Sequence, residues 1–187
     1  MFRSAFIVIV LISIASPLVL LSAVRVVKAR SWAARLNNVL IGLAGGVLTA
    51  LAGFWGPVGV VPAVPVLALA GTWFLFQAAF HDWHIFRATD RGRAAALYSA
   101  AVMAVGAWAA ISAAQAPGAG QDHPARELGV ILVDLTGAIA LVVAGAGWLL
   151  ATFAIPAGNG MTPVPRTRGL QEALLAIGLA VALYAVS

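Results

Sequence analysis

The sequence predicts an all-α protein, a single polytopic bundle of about six membrane-spanning helices that occupies residues 1–187. Three observations point there. The chain is 63% hydrophobic and only 9% charged, whereas soluble domains are nearer a quarter charged. Its mean hydropathy of +1.01 means more apolar surface than a fold of this size can hide from water, so the solvent around most of it is lipid. Apolar runs also recur at roughly the 20-residue length that crosses a bilayer.

The first helix is expected at about 4–24. Arg3 followed by an apolar run is also the start of a signal peptide. The heavier charge, however, follows the run at Arg25, Lys28, Arg30 and Arg35, which reads as an uncleaved signal anchor. The second and third helices are expected at about 37–55 and 59–80. Pro57, Pro62 and Pro65 crowd the turn between them, next to Trp55, and proline suits the first turn of a helix, whose N–H groups lack intrahelical partners anyway. The remaining helices are expected at about 94–114, 128–153 and 171–187, the last being the shortest. The connecting segments, about 116–127 and 154–170, are too small for a soluble catalytic domain, and the chain has no Walker or dinucleotide glycine motif.

Lipid gives helices no hydrophobic reason to associate, so small residues on one face are needed to let backbones approach. Spacing of four proposes such stripes at Gly42, Gly46 and Ala50, at Ala96, Ala100 and Ala104, at Thr136, Ala140 and Ala144, and at Ala176 and Ala180.

The charges then orient the bundle. Alternate loops hold Arg25, Lys28, Arg30 and Arg35, then Arg87, Arg91 and Arg93, then Arg166 and Arg168. Only Arg3 and Arg126 lie on the other side. By the positive-inside rule the first set faces the cytoplasm, and both termini are extracytoplasmic in a plasma (inner) membrane. The net charge of +5 does not indicate nucleic acid, because the basic residues are divided among apolar spans and form no basic face. With no cysteine, disulfides and thiolate metal sites are excluded.

Two places carry candidate chemistry. In "FHDWHIFRATDRGR", residues 80–93, His81 and His84 would share a face of a continuing helix and could ligate one metal, with Asp82 or Asp90 as oxygen partners. Two histidines do not close a tetrahedral site, and His123 is expected across the membrane. The plainer reading is the cytoplasmic edge of a helix, with Trp83 and His84 among headgroups, Arg87, Arg91 and Arg93 beyond them, and Asp90 offsetting one arginine. In a third reading these arginines bind anionic lipid. The second place is Asp134 in "VILVDLTGA", about six residues or roughly 9 Å into the fifth helix. An intramembrane carboxylate is a proton relay or substrate contact by default. Its structural alternative is a hydrogen-bonded acid joining helices through Thr136, Asn37, Asn38 or Gln77. No nucleophile elbow or Ser–His–Asp arrangement is present.

The segments "RLNNVLIGLAGG", "ALYSAAVMAVGAWAA" and "LLAIGLAVAL" resemble a family of uncharacterised actinobacterial polytopic membrane proteins, a domain-of-unknown-function group with His- and Met-rich helices. Arg35, Tyr98, Met103, Trp108 and Gly178 match its pattern. Asn38 and Ser99 stand where the family has His, and Gly106 and Leu179 where it has Met. The family's His/Met richness implies soft-metal binding of a copper type. Almost all of those ligands are replaced here, so the resemblance implies a degenerate member.

The sequence therefore leads to an expectation of an integral membrane protein that is structural or accessory, without catalysis or cofactor, and whose partners are the lipid bilayer, other membrane proteins or a second copy. The alternatives are a small-solute or proton-coupled transporter using Asp134, and a metal-binding membrane protein using His81 and His84. A topology reporter fused after Ser187 is expected to read extracytoplasmic and one near Gly92 cytoplasmic; opposite-side readings for the two ends of the chain would make the span count odd.

Overall fold

The structure, a computed structural model, describes residues 5–53, 62–87, 89, 91–115, 124–154 and 166–186; the side chains at 51–53, 113–115, 124–127, 154 and 186 are outside that description. Expectations placed on Arg3, Trp55, Pro57, Asp90, His123 and the Arg126 side chain fall outside the described residues. The described chain is all helical: α1 Ala5–Lys28, α2 Trp32–Gly53, α3 Ala63–Ala79, α4 His84–Arg87, α5 Arg93–Gln115, α6 Pro124–Ala154 and α7 Arg166–Val186. Five of these, α1, α2, α5, α6 and α7, are long and apolar enough to cross a membrane, and α3 is a shorter apolar helix. No strand occurs among the described residues.

Local chemistry explains where the helices depart from their expected bounds. α1 runs on through Arg25 and Lys28, because cations in a last turn oppose the negative end of the helix dipole. α2 starts at Trp32 rather than 37 because Ser31 caps it, with the Ala34 N–H donating to Ser31 Oγ at 3.2 Å. α3 starts after Pro62 and carries Pro65 in its first turn, where a missing N–H costs nothing. It stops at Ala79, since Phe80 leaves helical geometry (φ −106°, ψ 31°). α6 has Pro124 as its first residue, and α7 begins five residues before the expected 171.

Adjacent helices in the chain pair antiparallel. Gly42 lies against Ser22 and Gly45 against Leu18, joining α2 to α1. Gly71 meets Met103 and Gly106 meets Leu67, joining α3 to α5. Gly145 meets Ala176 and Gly137 meets Leu183, joining α6 to α7. α7 is central, packing on α1, α2, α5 and α6. Its apolar window is 67% buried, against 22% for α1 and for α6, whose outer faces expose Phe6, Ile9, Leu20, Leu132, Val143 and Leu150 to the surroundings. The middle of the bundle is apolar, built on Leu11, Leu18, Ile41, Leu48, Leu67, Phe74, Met103, Leu175 and Leu179.

The small-residue stripes are only partly those expected. Ala96, Ala100, Ala176 and Ala180 are buried at contacts, but Gly46, Ala104, Thr136 and Ala140 are exposed. The packed face of α2 runs instead through Ile41, Ala44, Gly45 and Leu48, and that of α6 through Asp134, Ala138, Leu141 and Gly145. A mixed three-and-four spacing keeps one face on a neighbour, whereas strict spacing by four drifts around the helix.

Among the described glycines, the closest approach is that of Gly169 of α7 to the Thr152 side chain of α6. A Cβ there would overlap Oγ1, Cγ2 and Cβ of Thr152, which is itself held by its Oγ1–H donating to Trp148 O at 2.8 Å. Gly169→Val is expected to cost about 1–3 kcal/mol through overpacking, read as a lowered melting temperature in mild detergent. Gly46→Ala, at a glycine with nothing within 4 Å, should leave the melting temperature unchanged or raise it.

Candidate functional site

The hairpin pairing brings the C-terminal ends of α1, α3 and α6 together with the N-terminal ends of α2, α5 and α7. Arg25, Lys28, Arg30, Arg35, Arg87, Arg91, Arg93, Arg166 and Arg168 all lie at this basic end. Seven of those nine are at least partly exposed, but Arg91 and Arg168 are 3% and 2% exposed.

These two buried arginines converge on Glu172, which is itself 2% exposed. Arg91 Nη2 lies 2.9 Å from Glu172 Oε1 and Arg168 Nε donates to the same oxygen at 3.1 Å. The second pair spans one helical turn of α7, the i,i+4 geometry. The first joins α7 to the segment that enters α5. Arg91 Nη1 also donates to Ser99 Oγ, and its guanidinium lies over the Phe74 ring at 4.7 Å, a cation–π contact that gains strength when desolvated. Tyr98 stacks on Trp148 at 4.7 Å and 12°, and its hydroxyl donates to the Glu172 carbonyl at 3.4 Å. The carboxylate and carbonyl of Glu172 thus join α7 to α5 and its entry, and Tyr98 carries the contact on to α6.

A polar layer surrounds this cluster. Gln171 Nε2 donates to Ser22 Oγ at 2.6 Å, joining α7 to α1. Trp73 Nε1 donates to Asn37 Oδ1 at 2.7 Å, joining α3 to α2. Arg25 Nε donates to Asn38 Oδ1 at 3.1 Å. Gln77 Nε2 donates to Thr89 Oγ1 at 2.8 Å, fixing the crossing to α5. Among the described residues, Glu172 Oε2, Gln171 Oε1, Gln77 Oε1 and Trp148 Nε1 are buried with no hydrogen-bond partner.

Asp134 sits at the opposite end of the bundle and is 1% exposed. Its Oδ1 accepts from Trp108 Nε1 at 3.0 Å and from Ser112 Oγ at 3.1 Å, so it bonds α6 to α5. The partners differ from those expected. Asn37, Asn38 and Gln77 belong to the basic end, and the Thr136 hydroxyl donates to its own helix at Leu132 O, 2.7 Å away.

His81 and His84 do not lie on one continuing helix. His81 is in the turn after α3, and His84 opens the one-turn helix α4, so the shared helical face that motivated a metal site is replaced by a chain reversal. His81 Nδ1 is buried with no partner among the described residues, and His84 is exposed. Asp82 faces Arg93 at 3.6 Å, both well exposed, a geometry that contributes little in water. Among the described residues no group of three or more His, Cys, Asp or Glu side chains could hold a metal ion.

The residues that sequence reasoning overlooked are Glu172, Gln171 and Ser22, and the burial of Arg91 and Arg168. The Arg168–Glu172 spacing was the available signal. The chain matches no family model, no curated protein and no solved structure.

Removing one partner of a buried ionic cluster leaves uncompensated charge, at about 3–5 kcal/mol. Glu172→Leu is therefore expected to lower the melting temperature sharply. Glu172→Gln, which keeps an oxygen acceptor for one guanidinium, should lose less. Equal melting temperatures for Glu172→Leu and the unmodified protein would remove Glu172 from the load on α7.

Proposed function

We propose that the protein is a six-span integral membrane protein of the plasma membrane, with both termini extracytoplasmic, that serves as a structural or accessory component and packs against other membrane proteins or a second copy of itself. Six spans require α3 to cross along with the five longer helices. One observation carries the functional half of this reading. Each buried ionisable side chain among the described residues has a partner: Arg91 and Arg168 both meet Glu172 at the basic end, Arg91 from outside α7 and Arg168 from within it, and Asp134 accepts from α5 at the other end. Between them the core is apolar. A carrier places polar groups and interrupted helices near mid-depth, where a substrate is alternately exposed to either side. Here the polar groups join helices instead. Kinship with the His/Met-rich family is part of the same proposal, as a member that has lost most of the ligands.

The competing reading is a carrier built on Asp134, and its support is an intramembrane carboxylate 1% exposed. The metal reading of His81 and His84 has less behind it, because the helix that was to align them ends at Ala79.

Asp134→Asn discriminates between scaffold and carrier. Asparagine keeps an Oδ1 acceptor for Trp108 and Ser112 but cannot titrate. For a helix-joining role, Asp134→Asn should match the unmodified protein in melting temperature and in any growth phenotype of a deletion strain. Asp134→Leu should lose about 0.6–2 kcal/mol for each interhelical bond. A folded Asp134→Asn protein that fails to complement, as Asp134→Leu fails, would overturn the scaffold reading in favour of the carrier.

A further inference from the structure

Beyond the buried cluster, the basic end carries an outward-facing surface of a different kind. Trp32 at the start of α2 packs on Trp73 of α3 at 5.8 Å, Trp73 on Phe86 of α4 at 5.7 Å, and Phe86 on Phe76 at 5.8 Å. Phe76 continues to Phe80 at 4.5 Å, and Phe80 to Trp83 at 4.9 Å. This chain of rings crosses three helices without a break. Trp32 is 58% exposed, Trp83 51%, and Phe76 and Phe80 about two-fifths, while Trp73 is half-buried and Phe86 lies buried beneath them. Lys28, Arg30 and Arg35 flank it on the α1–α2 side, and Arg87 and Arg93 on the α4–α5 side, all exposed. Asp82 is the single exposed acid among the described side chains. At the opposite end no described side chain is basic.

We propose that this aromatic and basic collar over α2, α3 and α4 binds the headgroups of anionic phospholipids. The proposal rests on the membrane reading above and goes beyond it by naming the lipid class. Tryptophan settles at the depth where acyl chains meet headgroups. Arginine and lysine stems lie along apolar surface while their charged ends reach outward. Rings and cations on one rim therefore meet glycerol backbone and phosphate together. A zwitterionic headgroup brings its own ammonium to that rim, while an anionic one leaves the cations of the collar to balance its phosphate. Preference for anionic lipid follows from that difference. Trp73 cannot turn away, because its indole N–H is bound to Asn37, so the ring chain is a fixed platform. Arg91 and Arg168 take no part, since both are withdrawn into the ionic cluster.

The test uses full-length protein in phosphatidylcholine nanodiscs containing a small fraction of lipid with brominated chains, which quenches nearby tryptophan. Brominated phosphatidylglycerol is expected to quench several-fold more than the same fraction of brominated phosphatidylcholine. The excess should fall as salt is raised through the range in which the Debye length shortens. It should weaken roughly fivefold in apparent affinity for each charge removed in Arg30→Gln and Arg87→Gln. It should be retained in Arg30→Lys and Arg87→Lys, which keep the charge and report that the fold is intact. Equal quenching by the two lipids would overturn the proposal while leaving the membrane reading in place. Failure of the protein to enter nanodiscs would overturn both.

Discussion

A carboxylate in a low-dielectric surround cannot be left alone, and Glu172 has two guanidiniums on one of its oxygens. Coulomb attraction between such groups is far stronger than in water, and so is the cost of separating them. The geometry is therefore constrained from several sides. α7 must present Glu172 at the depth of the turn carrying Arg91, and Arg168 must stand one turn earlier on the same face. Tyr98 then reaches the Glu172 carbonyl while stacked on Trp148 of α6. Lipid exerts little force that would bring these helices together. A buried ionic cluster, with the close approach at Gly169 nearby, gives α5, α6 and α7 one preferred register at this end, and Trp108 and Ser112 on Asp134 set the register of α5 and α6 at the other.

Much of this was legible in the sequence, though unevenly. The apolar helices were readable because transfer into lipid sums over some twenty residues and tolerates errors in any one of them. Their ends were less so, because Ser31 as a cap and Arg25 and Lys28 as a last turn act over single residues. The ionic cluster was missed for a specific reason. Arg91 and Arg168 were counted with the loop charges that orient a bundle, and a count of charges does not distinguish a residue facing water from one folded inward. Arg168 and Glu172 stand four apart and were recoverable once α7 began at Arg166. Arg91 was not, since its position depends on the reversal through α4. Asp134 was recognised as buried, yet its expected partners, Asn37, Asn38 and Gln77, belong to the other end of the bundle, which the alternation of spans already implied. The small-residue stripes failed at Gly46 and Thr136 because glycine, alanine and threonine at spacing four are common in a chain this rich in small residues, while the face that packs follows neighbours that are long-range in sequence.

Among the described residues, the buried polar groups of this bundle are arranged in layers at its two ends, with apolar residues between them. That division matters for how the molecule tolerates change. Substitutions in the middle layer act through volume and cavity, as in any close-packed core. Substitutions in the end layers act through hydrogen bonds that have few substitutes in a dry surround. In the ring chain, Trp73 and buried Phe86 belong to the fold, while Trp32, Phe76, Phe80 and Trp83 face the surroundings and are free to serve contacts that the fold itself does not need.

The helices also differ in length more than a flat slab of lipid permits. α3 has 17 residues and α6 has 31, which at 1.5 Å per residue are about 26 Å and 46 Å, on either side of a hydrocarbon core of roughly 30 Å. Leu69 and Leu75 of α3 face outward, so if α3 spans as proposed above, the lipid beside it matches the shorter helix while α6 tilts or projects. On that six-span reading, a bilayer around this protein is thinner on one flank than on the other. A molecule with that proposed topology would carry an elastic signature: it would settle where the membrane is already compliant or thin, and two copies that brought their short flanks together would relieve the deformation each imposes alone.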